Sequence, residues 1–166
     1  MTEETKPNLY DLPRIYHAAF SNLEPAETAM IKRVFLTHSQ FPVTSILEPA
    51  CGTGRALVDL ALLGYRITGY DRSTAMVAYS NERIRSAGLE KLARATLGDM
   101  ATTKVEGTFD SAIILINSLG YLVSDEDVVN HLRNTAACLK TGGLYLVHLG
   151  LTQKDSVAAV IVGLHR

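Results

Sequence analysis

From Val43 to Leu149 the sequence alternates short apolar runs with helical patterns, and glycine or a carboxylate stands where most runs end. That rhythm constrains the chain more than any other feature. Strands separated by helices can run parallel, because a parallel pair needs a long crossover connection. Strands are expected at Val43 to Leu47, Arg66 to Tyr70, Ala95 to Leu97, Phe109 to Ile116 and Leu144 to Leu149. Helices are expected from Arg55 to Leu63, from Ser73 to Ala87 with Ser73 as N-cap, and from Ser124 to the pair Gly142-Gly143. The order βαβαββαβ predicts an α/β fold with a doubly wound, mainly parallel sheet and right-handed crossovers. The run Ala112-Ile113-Ile114-Leu115-Ile116 reads as a strand buried on both faces. The third-to-fourth-strand connection is short for a helix and reads as mostly loop.

Before the core, Met1 to Asn8 reads as a frayed end and Pro25 to His38 as a helix. Residues 1–42 are thus expected to form an amino-terminal helical segment, 43–150 the α/β core, and 151–166 a short tail. A length of 166 residues suits one domain, and 47% hydrophobic residues argue against disorder. Sixteen basic residues oppose seventeen acidic ones, so charge gives no reason to expect nucleic-acid or membrane partners. Cys51 and Cys138 form no redox-type or metal-type pair, and no His/Cys/Asp spacing matches a metal site. With no signal-like or membrane-length apolar run, the default compartment is the cytoplasm.

In an open parallel sheet, ligands bind beyond the carboxyl ends of the strands, where strand order reverses. Three polar features follow that rule: Glu48 through Gly54, Asp71, and Gly98-Asp99-Met100. Gly52 and Gly54 allow close backbone approach and positive φ. A carboxylate at Asp71 can accept from a ribose diol. Asp99 can accept from an adenine amino group while the Met100 N–H donates to a ring nitrogen. Glu48 discriminates, because a carboxylate is unwelcome beside a dinucleotide pyrophosphate but suits a cationic ligand. Leu57 stands where a dinucleotide loop wants its third glycine.

Ile46-Leu47-Glu48-Pro49-Ala50-Cys51-Gly52-Thr53-Gly54-Arg55 resembles the first motif of class I S-adenosylmethionine (SAM)-dependent methyltransferases. Gly69-Tyr70-Asp71-Arg72-Ser73 is similar to their second-strand acidic motif, and Leu97-Gly98-Asp99-Met100 to their adenine motif. Phe109-Asp110 through Asn117-Ser118-Leu119-Gly120-Tyr121-Leu122 resembles their fourth-strand motif, and Lys140-Thr141-Gly142-Gly143-Leu144 the turn before strand five. The resemblance covers about Tyr10 to Gly150. It implies SAM as cofactor, with Glu48 and Ala50, Cys51, Gly52 and Gly54 at the methionine end. Asp71, with Arg72 beside it, would meet the ribose, Asp99 and Met100 the adenine, and Asn117 the methionine part. Tyr10 and Tyr16 fall in the segment that often closes over the cofactor in such enzymes, although their spacing also suits a core role.

The implied function is methyl transfer to a small-molecule acceptor, with His148 and Tyr121 as candidate general bases. A non-catalytic SAM-binding fragment or subunit is the alternative, and a nicotinamide-dependent oxidoreductase a third reading. His17, His38, His131 and His165 read as helix-surface or terminal residues, Cys51 as an unreactive thiol and Cys138 as a small buried hydrophobe. Such methyltransferases usually add two strands after the fifth, and the core here is expected to lack them. The strand-five edge would then be open to pairing, by a second copy of the chain or by Val157 to Leu164.

Overall fold

A computed structural model describes residues 8–20, 25–150 and 157–163. A 3-10 turn at Leu9–Asp11 precedes α1 (Pro13–Phe20) and α2 (Pro25–His38). Then follow β1 (Ser45–Pro49), α3 (Arg55–Leu62), β2 (Arg66–Asp71), α4 (Thr74–Ser86) and β3 (Ala93–Leu97). After a loop come β4 (Phe109–Ile114), a second 3-10 turn (Ser118–Tyr121), α5 (Asp125–Ala137), β5 (Leu139–Gly150) and β6 (Val157–Gly163). The sheet runs β3-β2-β1-β4-β5-β6. Its first five strands are parallel and β6 is antiparallel to β5. Strand order reverses between β1 and β4, so the crevice rule places a ligand beyond the carboxyl end of β1.

Strand alternation sorts the core into two layers. On one face Ile46, Ile67, Ile113 and Leu146 pack with Ile31 and Phe35 of α2, Leu57 and Leu60 of α3, and Ile84 of α4. On the other face lie Leu47, Tyr70, Ala112, Ile114 and Tyr145, with Cys138, Met100 and Leu132. Every residue of β4 is buried, as its unbroken apolar run implies. The α4 helix starts where Ser73 Oγ accepts from Met76 N, and α5 where Ser124 Oγ accepts from Asp127 N. Among the described residues, no helix is long and apolar enough to cross a membrane.

Two expectations need correction. Gly142-Gly143 does not end the last helix. That helix stops at Ala137, and β5 begins at Leu139 and carries the glycines inside it. The register shifts between Phe109 and Ser111, opposite this stretch, and Gly142 adopts φ +80°. A Cβ at Gly143 would stand 2.8 Å from Lys140 O and 3.1 Å from Asp110 O, so the bulge needs glycine there. The second correction concerns the two outer strands expected to be missing; the strand-five edge itself is paired by the tail, one of the two partners expected for it. Leu144 through Gly150 pair with Val157 through Gly163, so one of the missing outer strands is present and the β5 backbone is occupied. Association through a bare strand-five edge therefore has no free backbone to use.

At the amino edge of the sheet, Asp110 ties β4 to β1. Its Oδ2 accepts from Thr44 N, Thr44 Oγ1 and Ser45 N, each at 2.8 Å. Its Oδ1 lies 2.6 Å from Lys140 Nζ. Burial alone would raise this carboxyl, but the Lys140 ammonium and the Thr44 and Ser45 donors hold it well below the usual carboxylate range. A depressed carboxyl contributes stability that is complete above its unfolded value, near 3.9, and is lost as pH falls toward its folded value. Asp110→Asn should therefore cost about 1.5–3 kcal/mol at neutral pH. Urea titrations of both proteins should show that gap unchanged from pH 7 to pH 5 and closing below about pH 4. A gap that closes between pH 7 and pH 5 would contradict the assignment.

Candidate functional site

The loop from β1 to α3 makes three left-handed turns, with φ +54° at Ala50, +53° at Gly52 and +68° at Gly54. The backbone holds it to β2, since Cys51 N donates to Tyr70 O at 3.0 Å. Asp71 holds it a second time. Asp71 Oδ2 accepts from Gly52 N and Oδ1 from Ser73 N, both at 2.9 Å. Each carboxylate oxygen has two acceptor positions, so one on each remains for a ligand hydroxyl. Thr53 is gripped from outside, by Arg83 Nη1 donating to its carbonyl at 3.0 Å and by a 3.3 Å hydrogen bond between His17 Nδ1 and Thr53 Oγ1.

The two glycines serve different ends. A Cβ at Gly52 would meet nothing within 4 Å, so its side of the loop is open and only the turn demands glycine. A Cβ at Gly54 would stand 2.0 Å from Ser80 Oγ. Gly54 therefore lets α4 press against the start of α3. Gly69 on β2 has a similar task, since a Cβ there would lie 2.7 Å from Cys51 Cβ. Burial, with Glu48 next, pushes the Cys51 thiol well up, in keeping with an unreactive residue.

A cavity opens beside this loop, lined by Glu48, Ala50, Cys51, Gly52, Thr53 and Arg55, with Tyr16 and Phe20 of α1 and Leu115, Ile116 and Ser118 opposite. Glu48 is 4% exposed, and its Oε2 has no hydrogen-bond partner among the described residues. Burial drives its carboxyl well above the usual range, while Arg55 pulls it down. Arg55 also forms an ion pair with Glu27 of α2. The other Glu27 oxygen lies 3.5 Å from His148 Nδ1. Glu27 and Arg55 were not legible as site residues, because nothing local marks a helix carboxylate that reaches a distant strand end.

Tyr16 lines the cavity and Tyr10 packs against it. Their ring centroids are 5.6 Å apart, and the Tyr10 ring stands edge-on to Tyr121 at 6.0 Å. The Tyr10 and Tyr121 hydroxyls share a hydrogen bond across 111 positions, and Ser73 Oγ donates to Tyr10 O at 3.1 Å. Burial raises the phenols of both Tyr10 and Tyr16, so they stay protonated at neutral pH. Asp99 and Met100 lie on the same sheet edge but off this cavity, beyond β3, where Gly98 N donates to Asp71 O at 3.0 Å. Asn117 is exposed, with φ +57°, and its N–H donates to His148 O at 3.2 Å. Arg72 is exposed and His148 half-buried. Among the other histidines, His38 is exposed as expected, whereas His131 is fully buried and not a surface residue. His165 lies outside the described residues.

The sequence signature of the methyltransferase domain family matches residues 46–143, the stretch that supplies β1 through the β5 bulge. The chain belongs to that family. It is 31% identical over 101 residues to the putative methyltransferase YqeM of Bacillus subtilis (strain 168), covering 61% of this chain and 40% of that protein. It is 27% identical over 113 residues to the dTDP-3-amino-3,4,6-trideoxy-alpha-D-glucopyranose N,N-dimethyltransferase of Streptomyces venezuelae, covering 68% of this chain and 45% of that protein. Among solved structures, SAM-bound CalS10, an amino pentose methyltransferase from Micromonospora echinaspora, superposes with a TM-score of 0.70. That match has 19% identity and covers 95% of this chain and 62% of that one, which shows a shared fold. The chain thus spans less than half the length of these two sequence relatives.

The Gly54 contact makes a direct prediction about this methyltransferase-domain loop. Gly54→Ala forces a side chain into the left-handed region, costing roughly 1–2 kcal/mol, and overpacks Ser80, costing roughly 1–3 kcal/mol more. Thermal unfolding should show a loss of about 2–5 kcal/mol, part of it restored by Ser80→Gly in the same chain. A stable Gly54→Ala protein would show that α4 does not press on this loop.

Proposed function

We propose that this chain binds SAM at the carboxyl edge of its sheet and supports methyl transfer to a small-molecule amine. The observation that carries the reading is Glu48. A buried carboxylate oxygen without a partner is costly, and an ammonium group is the ligand feature that would offset it. The methionine end of SAM carries such a group. A pyrophosphate would add negative charge beside Glu48, which argues against a nicotinamide dinucleotide. The free acceptor positions on Asp71 suit a ribose diol, and the loop at Asp99 and Met100 suits adenine.

The bound cofactor would supply an electrophilic methyl group on sulfonium, and the protein's part is alignment, water exclusion and proton removal. Tyr16 and Phe20 line the cavity together with Ile116 and would shield the reacting atoms from water. Tyr10, packed on Tyr16 and hydrogen-bonded to Tyr121, would add to that cover. An amine acceptor is protonated at neutral pH and must lose a proton before it attacks. His148 stands at the strand end beside Asn117, with Glu27 near its Nδ1, and is the candidate base. The amine preference draws on the amino-sugar relatives, and Tyr121 is the second candidate for handling the proton.

Calorimetry with S-adenosylhomocysteine, adenosine and NADH tests the cofactor reading. Asp71→Asn should weaken S-adenosylhomocysteine and adenosine alike, by about ten- to a hundredfold, since both carry the ribose diol. Glu48→Gln should weaken S-adenosylhomocysteine about tenfold or more and leave adenosine unchanged, because adenosine lacks the ammonium. A wild-type chain that binds NADH in preference to S-adenosylhomocysteine would sink the proposal.

A further inference from the structure

His131 sits on α5 with no exposed surface, and both ring nitrogens are engaged. Its Nδ1 is 3.0 Å from the carbonyl oxygen of Met100. A carbonyl can only accept, so Nδ1 carries the hydrogen. Its Nε2 is 2.5 Å from the hydroxyl of Tyr145, a fully buried residue of β5. Burial lowers the His131 pKa despite the Met100 carbonyl, so the ring is neutral and Tyr145 donates to Nε2. One tautomer is fixed, and it links the central sheet to the loop after β3.

The peptide that His131 holds has a second end. The Met100 carbonyl belongs to the peptide bond whose N–H is that of Ala101, and Ala101 N donates to Asp99 Oδ1 at 2.8 Å. Because a peptide is planar, fixing its carbonyl fixes the direction of its N–H. That N–H occupies Oδ1 of Asp99 and leaves Oδ2 outside this bond. A neighbouring contact from α5 reinforces the grip, with Asn134 Nδ2 donating to Ala101 O at 3.4 Å. Thr103 N adds a backbone tie to Asp99 O at 2.8 Å.

We infer that His131 is a positioning residue for adenine recognition: held by Tyr145, it fixes the Met100–Ala101 peptide and so aims the Asp99 carboxylate at the base. The inference rests on the adenine role proposed for Asp99 and Met100. It goes further in placing the source of base selectivity on α5 and β5, in residues that touch no ligand.

The test is base selectivity in the full-length chain. S-inosylhomocysteine replaces the adenine amino group with a carbonyl, so a correctly aimed Asp99 should reject it. The readout is the ratio of its dissociation constant to that of S-adenosylhomocysteine, measured at neutral pH with folding checked by circular dichroism. Asp99→Asn sets the floor of the ratio. His131→Leu should lower the wild-type ratio about tenfold toward that floor, a hydrogen bond's worth of discrimination. His131→Asn, whose amide can still donate to the Met100 carbonyl, should keep most of it. Tyr145→Phe keeps the ring packing and loses only the hydroxyl, so it decides the matter should His131→Leu fail to fold. It should lower the ratio a few-fold. Unchanged ratios in folded His131→Leu, or in Tyr145→Phe where His131→Leu is not folded, would overturn the inference and leave SAM binding standing. A wild-type chain that binds neither analogue would overturn the cofactor reading, and this inference with it.

Discussion

The Asp71 carboxylate accepts backbone N–H groups from two loops at once, Gly52 after β1 and Ser73 after β2. Those two bonds set where both following helices begin. The Gly52 turn leads through Gly54 into α3, and Ser73 is the cap of α4. Once both starts are fixed, the helices meet at Gly54 and Ser80, where the absence of a Cβ permits contact. The same logic operates one strand in. Gly69 lets Cys51 lie across β2, and Cys51 N reaches Tyr70 O. An ionised carboxylate supports this arrangement best, because hydrogen bonds to a charged acceptor are stronger than neutral ones. The ribose role proposed for Asp71 therefore draws on a group that the fold has already oriented, using acceptor positions that the backbone leaves over.

Much of this was legible because its causes are local. Ser73 stands just before a periodic stretch and caps it as expected, and Ser124 opens the last helix where its acidic first turn placed the start. The run from Phe109 onward has no polar face to offer and lies buried at the centre of the sheet. The carboxyl-edge features could be placed together because parallel strands all end on one side, with Glu48 and Asp71 at the ends of β1 and β2 and Asp99 just beyond β3. The β3–β4 connection is loop, as its length required.

What stayed hidden depends on partners distant in sequence. His131 has the sequence surroundings of a helix-surface residue, and only the arrival of Met100 and Tyr145 makes it a buried link. Glu27 is a helix carboxylate until Arg55 and His148 come near it. The glycine pair at Gly142-Gly143 looked like a helix stop because a bulge has no local signature apart from glycine itself. Val157 to Leu164 was equally suited to a strand or a helix. The unpaired backbone of β5 decided the matter for Val157–Gly163, since an edge presents donors and acceptors that a second strand can satisfy. At Gly54 the demand for glycine comes from a serine 26 positions away, which no local pattern shows.

Two buried carboxylates on neighbouring strands show how the fold separates support from chemistry. Asp110 sits at the amino edge on β4, where backbone, hydroxyl and ammonium donors meet both its oxygens and hold it ionised. Glu48 sits near the carboxyl end of β1, also buried, with one oxygen unmet and its carboxyl pushed the other way. Composition does not distinguish them, since each is a single acid in an apolar strand. The distinction comes from sheet direction. At the amino edge the segment entering β1 and the bulge in β5 converge on Asp110 with their donors. At the carboxyl edge the chain turns away through left-handed residues and opens a cavity beside Glu48. A parallel sheet that places its turns this way completes its hydrogen bonding at one end and leaves a buried carboxyl oxygen unpaired at the other. The unsatisfied end is where a cationic ligand would complete the structure.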